Sequence, residues 1–311
     1  MKQITMLCAL FLLMLGGCAS TPTQKAETPP PLDPRSVPVS SRGEEAAWAD
    51  MVGAASDADV VVIGEMHGHP LGLSAAAALW EDILAVEGKS PALCLEFFDR
   101  SKQAMMDDYL TGVTDEAGFR KAAHLSENNY PPGHRAMVEA AKAAGAPVYA
   151  SNAPRRYSTR AREEGLDALE GLRPSQRALY EKPDALPENA YRDRFFEQFR
   201  GMLASHGGEE MTDEEREKKI EGYFRAQSVW DATMAGTIAR ALRDGHRPVV
   251  QVVGQFHSDR RGGLIDQIWA HVPGVRIVTV SMVENPDDSD ADRADFVVDV
   301  GGEDSGSSGG M

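Results

Sequence analysis

The stretch Val60–Pro70 constrains the fold of this chain more than any other, because a short apolar run ends directly in ionisable side chains. Four β-branched residues are followed by Gly64, and then by Glu65 and His67. A continuous apolar run of this length is typical of a parallel strand that helices cover on both faces. Ligands of such sheets bind outside the carboxyl ends of the strands. The stretch therefore predicts an α/β fold with a site near Glu65 and His67.

The rest of the chain repeats this alternation of strand-like and helix-like stretches. It predicts an α/β fold with a mainly parallel sheet flanked by helices, and a smaller helical insertion domain. The predicted strands span residues 60–64, 92–95, 146–150, 248–253, 275–283 and 296–300, and helices are predicted over residues 71–86, 132–144 and 223–243. Gly145 follows the second of these helices at a plausible C′ position.

The domain organisation follows from composition along the chain. About 90 residues after the third strand contain no convincing strand pattern, and a structureless loop of that length is improbable in a compact domain. We therefore expect a helical insertion there. The predicted segments are a lipoprotein signal peptide (1–18), a proline-rich tether (19–42), a discontinuous α/β core (43–157 and 246–300), the helical insertion (158–245) and a disordered tail (301–311).

The first 18 residues resemble the signal peptide of a bacterial lipoprotein. Lys2 supplies the positive end, and residues 6–15 form an apolar core too short to span a bilayer. The sequence that ends at Cys18 is similar to a lipobox, whose cysteine becomes the lipidated N-terminus, and Ser20 favours the outer membrane by analogy. We expect a protein anchored by lipid to the periplasmic face of the outer membrane.

Charge and cysteine content limit the function classes. The formal net charge of −16 and the pI of about 4.9 argue against nucleic acid as a partner, which would require a basic face. Of the three cysteines, Cys8 and Cys18 belong to the leader, so the mature chain has no cysteine pair for a structural disulfide. Cys94 lies in an apolar run and is predicted to be a buried core thiol.

Polar side chains end four separate strand candidates. The carboxyl ends of parallel strands meet at one edge, so these groups should converge there. Glutamate and histidine suit either a divalent metal ion or an acid–base pair. The candidates are Glu65 with His67, Glu96, Asn152 with Arg155 and Arg156, and His257. Glu65, His67 and His257 are the predicted metal ligands; in a hydrolase, Glu65, His67, Glu96 and His257 would be catalytic.

Two further groups of polar residues are open to two interpretations each. Gln227 and Asp231 lie four residues apart, either as a surface pair on a helix or as support for the pocket at the domain junction. The arginines 155, 156, 160 and 162 form a basic island, either as a solvated helix start or as a contact for an anion such as a carboxylate.

Taken in order, these motifs resemble the ChaN-like haem-binding lipoproteins of the Tiki, TraB and erythromycin-esterase group. The matching motifs run from about residue 57 to 283: Gly64-Glu65-x-His67, Leu95-Glu96, Asn152-Ala153-Pro154-Arg155, Gln227-x-x-Trp230-Asp231-x-x-Met234-Ala235 and Gly254-x-x-His257. The lipobox agrees with this resemblance.

The resemblance implies haem bound noncovalently between the protomers of a homodimer, with tyrosine on the iron and arginine or histidine support. The candidate ligands are Tyr130 and Tyr157, with Arg155 and Arg156 beside the propionates. It further implies iron acquisition, with an outer-membrane haem receptor as a partner. A metal-dependent hydrolase or protease is the alternative that the wider group suggests, and an anchored, non-catalytic scaffold is the third hypothesis.

Overall fold

The computed structural model describes residues 32–126, 128–205 and 211–302. Its strands are β1 (Val39–Ser41), β2 (Glu44–Ala46), β3 (Val60–Glu65), β4 (Ala92–Asp99), β5 (Val148–Asn152), β6 (Val249–Gly254), β7 (Ile277–Val283) and β8 (Phe296–Asp299). Its helices are α1 (Trp48–Asp57), α2 (Pro70–Leu84), α3 (Gln103–Leu110), α4 (Glu116–Ala122), α5 (Pro132–Ala144), α6 (Arg155–Glu164), α7 (Pro174–Arg177), α8 (Ala190–Ser205), α9 (Asp213–Arg243) and α10 (Leu264–His271).

The eight strands form one sheet in the order β2-β1-β8-β7-β3-β6-β4-β5. All neighbours from β8 to β5 are parallel, whereas β1 pairs antiparallel with both β2 and β8. The predicted α/β class with a mainly parallel sheet is confirmed. Strands β3, β6 and β4 are adjacent in the middle of the sheet, so the residues that follow them meet at one edge.

Alternate residues of the central strands face two different apolar layers. Val61 and Ile63 pack in the layer that contains α2 and α5, and Val60 and Val62 pack in the layer that contains α9 and α10. Every residue of β3 is buried, as expected for a strand covered on both faces. Cys94 is buried in the second layer as a free thiol, which confirms that prediction.

Local sequence signals explain how the helices beside the site begin and end. Helix α2 starts with Pro70, and the ring of His69 accepts a hydrogen bond from the backbone N–H of Gly72 at 3.0 Å. Helix α5 ends at Gly145 with φ of 67°, the left-handed conformation in which glycine carries no Cβ penalty. The predicted C′ position of Gly145 is confirmed.

Two differences from the predicted segments bear on the fold. The tether was predicted to reach residue 42, but Val39–Ser41 form β1 at the edge of the sheet, because their backbone can pair with β8. Helix α9 begins ten residues earlier than predicted, at Asp213. The side chain of Thr212 caps the helix, and the side chain of Glu215 bonds back to the Thr212 backbone, which together form a capping box. The prediction missed this start because it relied on the spacing of the apolar residues, which begins only later in the helix.

The described part of the chain, from Leu32 onward, belongs to one compact unit. Within the described ranges, no helix combines the length and the apolarity that crossing a membrane requires. The predicted signal peptide, the lipidation position Cys18, the first part of the tether and residues 303–311 of the predicted tail lie outside the described residues.

Candidate functional site

Three adjacent strands bring their polar residues together in a crevice at the carboxyl edge of the sheet. Glu65 ends β3, Glu96 lies in β4, and His257 lies in the short 3-10 turn that follows β6. Gly64 makes this close approach possible, because a Cβ there would lie 2.8 Å from Ser258 Oγ and 2.9 Å from the Cα of Gln255. The structure therefore brings three of the four predicted strand ends into one place, which we call the strand-end crevice.

Glu65 is the buried centre of the first of two networks in this crevice. Its Oε1 lies 2.9 Å from His67 Nδ1, and its Oε2 lies 2.6 Å from His134 Nε2. Glu65 and His134 are buried, whereas the side chain of His67 is 69% exposed. The carboxylate therefore fixes the orientation of an exposed imidazole through its Nδ1 atom.

His257 is the centre of the second network, and its partners come from helices α8 and α9. Its Nδ1 lies 2.5 Å from Asp231 Oδ1, and Gln227 Nε2 lies 3.2 Å from the same ring nitrogen. The hydroxyl of Tyr191 donates to Asp231 Oδ2 at 3.0 Å and accepts from Gln227 Nε2 at 3.0 Å. Gln227 and Asp231 thus lie inside the pocket wall, where they hold His257, and not on a solvated helix face.

Gly254 and Glu96 connect the two networks. The backbone N–H of Gly254 donates to Glu96 Oε2 at 2.7 Å, and His257 Nε2 lies 3.6 Å from Glu96 Oε1. A Cβ on Gly254 would lie 2.7 Å from His67 Nε2, so the absent side chain leaves the space that the imidazole occupies. His67 Nε2 consequently faces into the crevice and not away from the sheet.

The networks set the charge of their members. Burial opposes the ionised form of Glu65, but hydrogen bonds from His134 and His67 lower the pKa of this carboxyl from 4.5 to about 2. The hydrogen bond to Glu65 raises the pKa of His67. Burial lowers the pKa of His257, but the charges of Asp231 and Glu96 outweigh it and raise the pKa to about 9. Near neutral pH, Glu65 is therefore an ionised carboxylate and His257 an imidazolium.

The predicted metal site at Glu65, His67 and His257 is not supported. In the parts of the chain that the structure describes, no group of three or more His, Cys, Asp or Glu side chains is arranged to hold a metal ion. The physical reason is that the donor atoms bond to one another: both oxygens of Glu65 contact imidazoles, and His257 Nδ1 contacts Asp231. The alternative function, a metal-dependent hydrolase or protease, depends on this metal site and is therefore not supported either.

Sequence analysis missed two members of the networks, His134 and Tyr191. His134 reaches Glu65 because α5 packs very close to α2, where a Cβ on Gly133 would lie 2.6 Å from Leu73 Cβ. The ring of Tyr191 lies against Gly262 and Gly263, where added Cβ atoms would fall 2.6 Å and 2.5 Å from it. The sequence contained two signals for these contacts: Gly133 next to His134 at the start of α5, and the pair Gly262-Gly263 before α10.

The fourth predicted strand end does not join the networks. Asn152 Oδ1 accepts a hydrogen bond from the adjacent backbone N–H of Ala153 at 2.8 Å. Arg155 and Arg156 are exposed in the first turn of α6, and the Arg156 guanidinium lies 4.7 Å from the ring centroid of Tyr157. These arginines remain candidate contacts for an anion.

Both candidate tyrosine ligands are buried at 5% exposure. Tyr130 stacks on Phe97 at a centroid distance of 5.6 Å, and burial raises the pKa of its hydroxyl. Tyr157 packs against Tyr180 at 4.7 Å. Ligation of a metal by either residue would require its ring to leave these contacts, and the assignment stays a prediction.

Comparison with known proteins identifies a family. The model of the family described as "Haem-binding uptake, Tiki superfamily, ChaN" matches residues 51–268. No curated protein sequence gives a significant match to the chain. The solved structure of ChaN of Campylobacter jejuni, which concerns cofacial haem binding, is 16% identical and superposes with a TM-score of 0.66 over 86% of this chain and 98% of that chain.

Two more distant solved structures are also similar. The type III effector HopBA1 is 16% identical with a TM-score of 0.41, over 80% of this chain and 90% of that chain. The erythromycin esterase EreC, in its open conformation, is 11% identical with a TM-score of 0.44, over 76% of this chain and 72% of that chain.

Proposed function

We propose that this chain, which belongs to the ChaN family of haem-binding uptake proteins in the Tiki superfamily, binds haem noncovalently and serves iron acquisition. The observation that carries the proposal is the extent of the family match, which includes strands β3 to β6 and both networks of the crevice. The shared fold with the Campylobacter jejuni protein supports it.

The chain offers the chemistry that haem requires. Haem iron accepts tyrosine or histidine as an axial ligand, and the two propionates require cations, for which the planar guanidinium of arginine is well suited. Despite the net charge of −16, helix α6 presents four arginines, at positions 155, 156, 160 and 162. These residues fit noncovalent binding of an anionic porphyrin, with tyrosine on the iron.

We further propose that the protein works as a lipid-anchored homodimer at the periplasmic face of the outer membrane. The lipobox-like sequence that ends at Cys18 supports the anchor, and the cofacial haem binding described for the Campylobacter jejuni protein supports a paired arrangement. An outer-membrane haem receptor is the partner that this position would serve.

A haem titration of the protein without residues 1–18 tests the haem role. We expect a saturable change in the Soret band and haem-dependent dimerisation in sedimentation velocity. A titration that rises linearly with haem, without saturation, would refute the proposal.

The lipid anchor has its own test. Replacing Cys18 by Ala should move the full-length protein from the outer-membrane fraction to the soluble periplasmic fraction, whereas Cys8→Ala should leave it in the membrane. Equal membrane association of both variants would contradict anchoring through Cys18.

A further inference from the structure

A groove between helices α6 and α9 is lined almost entirely by charged side chains. Its volume is about 410 Å³, which lies within the range of small-molecule sites. The cations of its lining are Arg162, Lys218, Lys219 and Arg225, and two glutamates lie among them. A lining of this kind suits a compact polar anion and offers little surface to an apolar ligand. We call this feature the α6/α9 groove.

The two glutamates of the groove bond to partners other than its lysines. Glu163 Oε1 accepts a hydrogen bond from the Arg162 guanidinium at 2.7 Å. Glu215 Oε2 accepts from the backbone N–H and the hydroxyl of Thr212, at 2.8 Å and 2.9 Å, in the capping box of α9. The charge of Arg162 is therefore compensated within the groove, and Glu215 stabilises the start of the helix.

The base of the groove is a tight contact between the two helices. The Arg225 guanidinium donates to the carbonyl oxygens of Ala161 at 3.0 Å and of Arg162 at 2.9 Å, in the last turn of α6. A Cβ on Gly222 would lie 3.0 Å from the Arg162 carbonyl oxygen, so the helices touch at this glycine. The groove therefore exists before any ligand binds, which reduces the ordering cost of binding.

Two neighbouring lysines supply the positive charge that remains. Lys218 and Lys219 are both exposed in the second turn of α9, and both line the groove. Lys219 Nζ contacts the sulfur of Met211 at 4.0 Å. Within the described residues, no ion pair joins either ammonium group to a carboxylate. An anion that enters the groove therefore meets two positive charges that the protein itself leaves uncompensated.

A phosphoryl group matches this lysine pair better than a carboxylate does. A phosphate monoester carries about −1.5 to −2 charges at neutral pH on one compact group with three acceptor oxygens, whereas a carboxylate carries a single charge. Lysine binds phosphate as a point charge that can approach from any direction. Tyr223 lies in the same groove, and a phenolic hydroxyl can donate a hydrogen bond to a phosphoryl oxygen.

We propose that the α6/α9 groove binds a phosphoryl group, with Lys218 and Lys219 as the cations that hold it and the contact of Arg225 and Gly222 as its fixed base. The phosphoryl group belongs either to a soluble phosphorylated molecule or to the headgroup of a lipid, because the same chemistry recognises both. The site is separate from the strand-end crevice, and its occupation does not depend on haem.

Calorimetric titration with inorganic pyrophosphate tests the site. The protein without residues 1–18 keeps the whole compact unit from Leu32 onward, and it is titrated free of haem. We expect saturable binding that Lys218→Ala/Lys219→Ala weakens about tenfold or more. The conservative variant Lys218→Arg/Lys219→Arg, which keeps both charges, should bind within about threefold of the wild type.

Two controls separate a built site from general attraction of charge. The double variant Lys89→Ala/Lys121→Ala removes the same net charge from exposed positions outside the groove, so its affinity for pyrophosphate should match the wild type. Citrate distributes its charge over three separate carboxylates and should bind about tenfold more weakly than pyrophosphate. Alanine favours helix formation, and circular dichroism spectra that match the wild type would show that each variant is folded.

Vesicles distinguish the two sources of the phosphoryl group. The protein is sedimented with phosphatidylcholine vesicles that contain or lack phosphatidic acid, whose headgroup is a phosphate monoester. Binding that requires phosphatidic acid and is lost in Lys218→Ala/Lys219→Ala would support a lipid headgroup as the ligand. Binding of pyrophosphate without binding to these vesicles would support a soluble phosphorylated molecule.

Three results would overturn the proposal. The first is the absence of saturable binding to both pyrophosphate and the phosphatidic acid vesicles. The second is an affinity in Lys218→Ala/Lys219→Ala that equals the wild-type affinity, and the third is citrate binding as tight as that of pyrophosphate. None of these results bears on the proposed haem function, because every measurement uses haem-free protein.

Discussion

The strand-end crevice pairs its ionisable side chains with one another, whereas the groove between helices α6 and α9, lined by Arg162, Lys218, Lys219 and Arg225, leaves two lysines exposed. The crevice joins three carboxylates and three imidazoles in short contacts: Glu65, Glu96 and Asp231 with His67, His134 and His257. In the groove, exposed Lys218 and Lys219 have no carboxylate of the lining directed at them, since Glu163 and Glu215 bond to other groups. The comparison teaches that a cluster of ionisable residues can stabilise a fold without being the place where a charged ligand binds.

The crevice should therefore matter chiefly to stability, and Asp231→Ala should show this with the largest effect. The substitution leaves the buried charge of His257 without its partner, which costs about 3–5 kcal/mol of the free energy of unfolding. Urea unfolding followed by tryptophan fluorescence measures the loss. The haem dissociation constant of the folded fraction should not change.

Tyr191→Phe is the matched control for this prediction. It removes the hydrogen bond to Asp231 and the one from Gln227 but keeps the ion pair, so it should cost only about 1–2 kcal/mol. Equal losses in the two variants, or a haem affinity that falls with Asp231→Ala, would contradict the structural role of this network.

The pH dependence of stability sharpens the same point. The pKa of Glu65 falls to about 2, so its contribution of about 3 kcal/mol is present above pH 4.5 and is lost as the pH falls through 2. The pKa of His257 rises to about 9, so its contribution is present below pH 6.5 and is lost as the pH rises through 9. Stability from the crevice should be greatest between pH 4.5 and 6.5.

Unfolding curves measured from acid to alkaline pH give the free energy of unfolding as a function of pH. They test whether Glu65 controls the acid limb of this profile and His257 the alkaline limb. Glu65→Gln should flatten the acid limb, and Asp231→Asn should flatten the alkaline limb, because each removes one of the interactions that shift these pKa values. Limbs that keep the wild-type slope in both variants would show that other groups control the pH dependence.

A smaller effect is expected where the two networks meet. Gly254→Ala places a Cβ 2.7 Å from His67 Nε2, so the imidazole must shift, at a cost of about 1–3 kcal/mol. Gly53→Ala is the control: the added Cβ meets no atom within 4 Å in helix α1, and should stabilise by about 0.5–1 kcal/mol. Thermal unfolding that ranks the variants in the opposite order would contradict the close contact.

The sequence predicted the centre of the sheet and much of the crevice, because these depend on local signals. The apolar run of β3 and the left-handed Gly145 each determine their own backbone, and the shared strand direction then brings Glu65, Glu96 and His257 together. His134 and Tyr191 were missed because their positions depend on helix packing over Gly133, Gly262 and Gly263.

The groove was the harder feature to foresee. Its residues come from the last turn of α6 and the first turns of α9, about 55 residues later in the chain. Arg162 was identified as part of a basic island, but no periodicity in the sequence places it beside Tyr223. The two residues are neighbours because helices α6 and α9 approach closely at Gly222. The sequence alone does not show that Gly222 lies at this contact.

The smallest effect should come from one charge in the groove. Glu163→Gln removes a carboxylate that bonds to Arg162, so haem affinity should rise about twofold at low salt and less at high salt. Glu96→Gln in the crevice should leave haem affinity unchanged at both salt concentrations. An affinity gain in Glu96→Gln that exceeds the gain in Glu163→Gln would reverse the comparison between the two sites.

Hydrogen–deuterium exchange of the protein with and without ferric haem is the most direct test of where haem binds. We expect haem to slow exchange in residues 155–164, which carry the arginines of helix α6, and to leave residues 64–69 and 254–259 at the crevice unchanged. Protection confined to the crevice, with no change at α6, would contradict haem binding through the arginines of this helix.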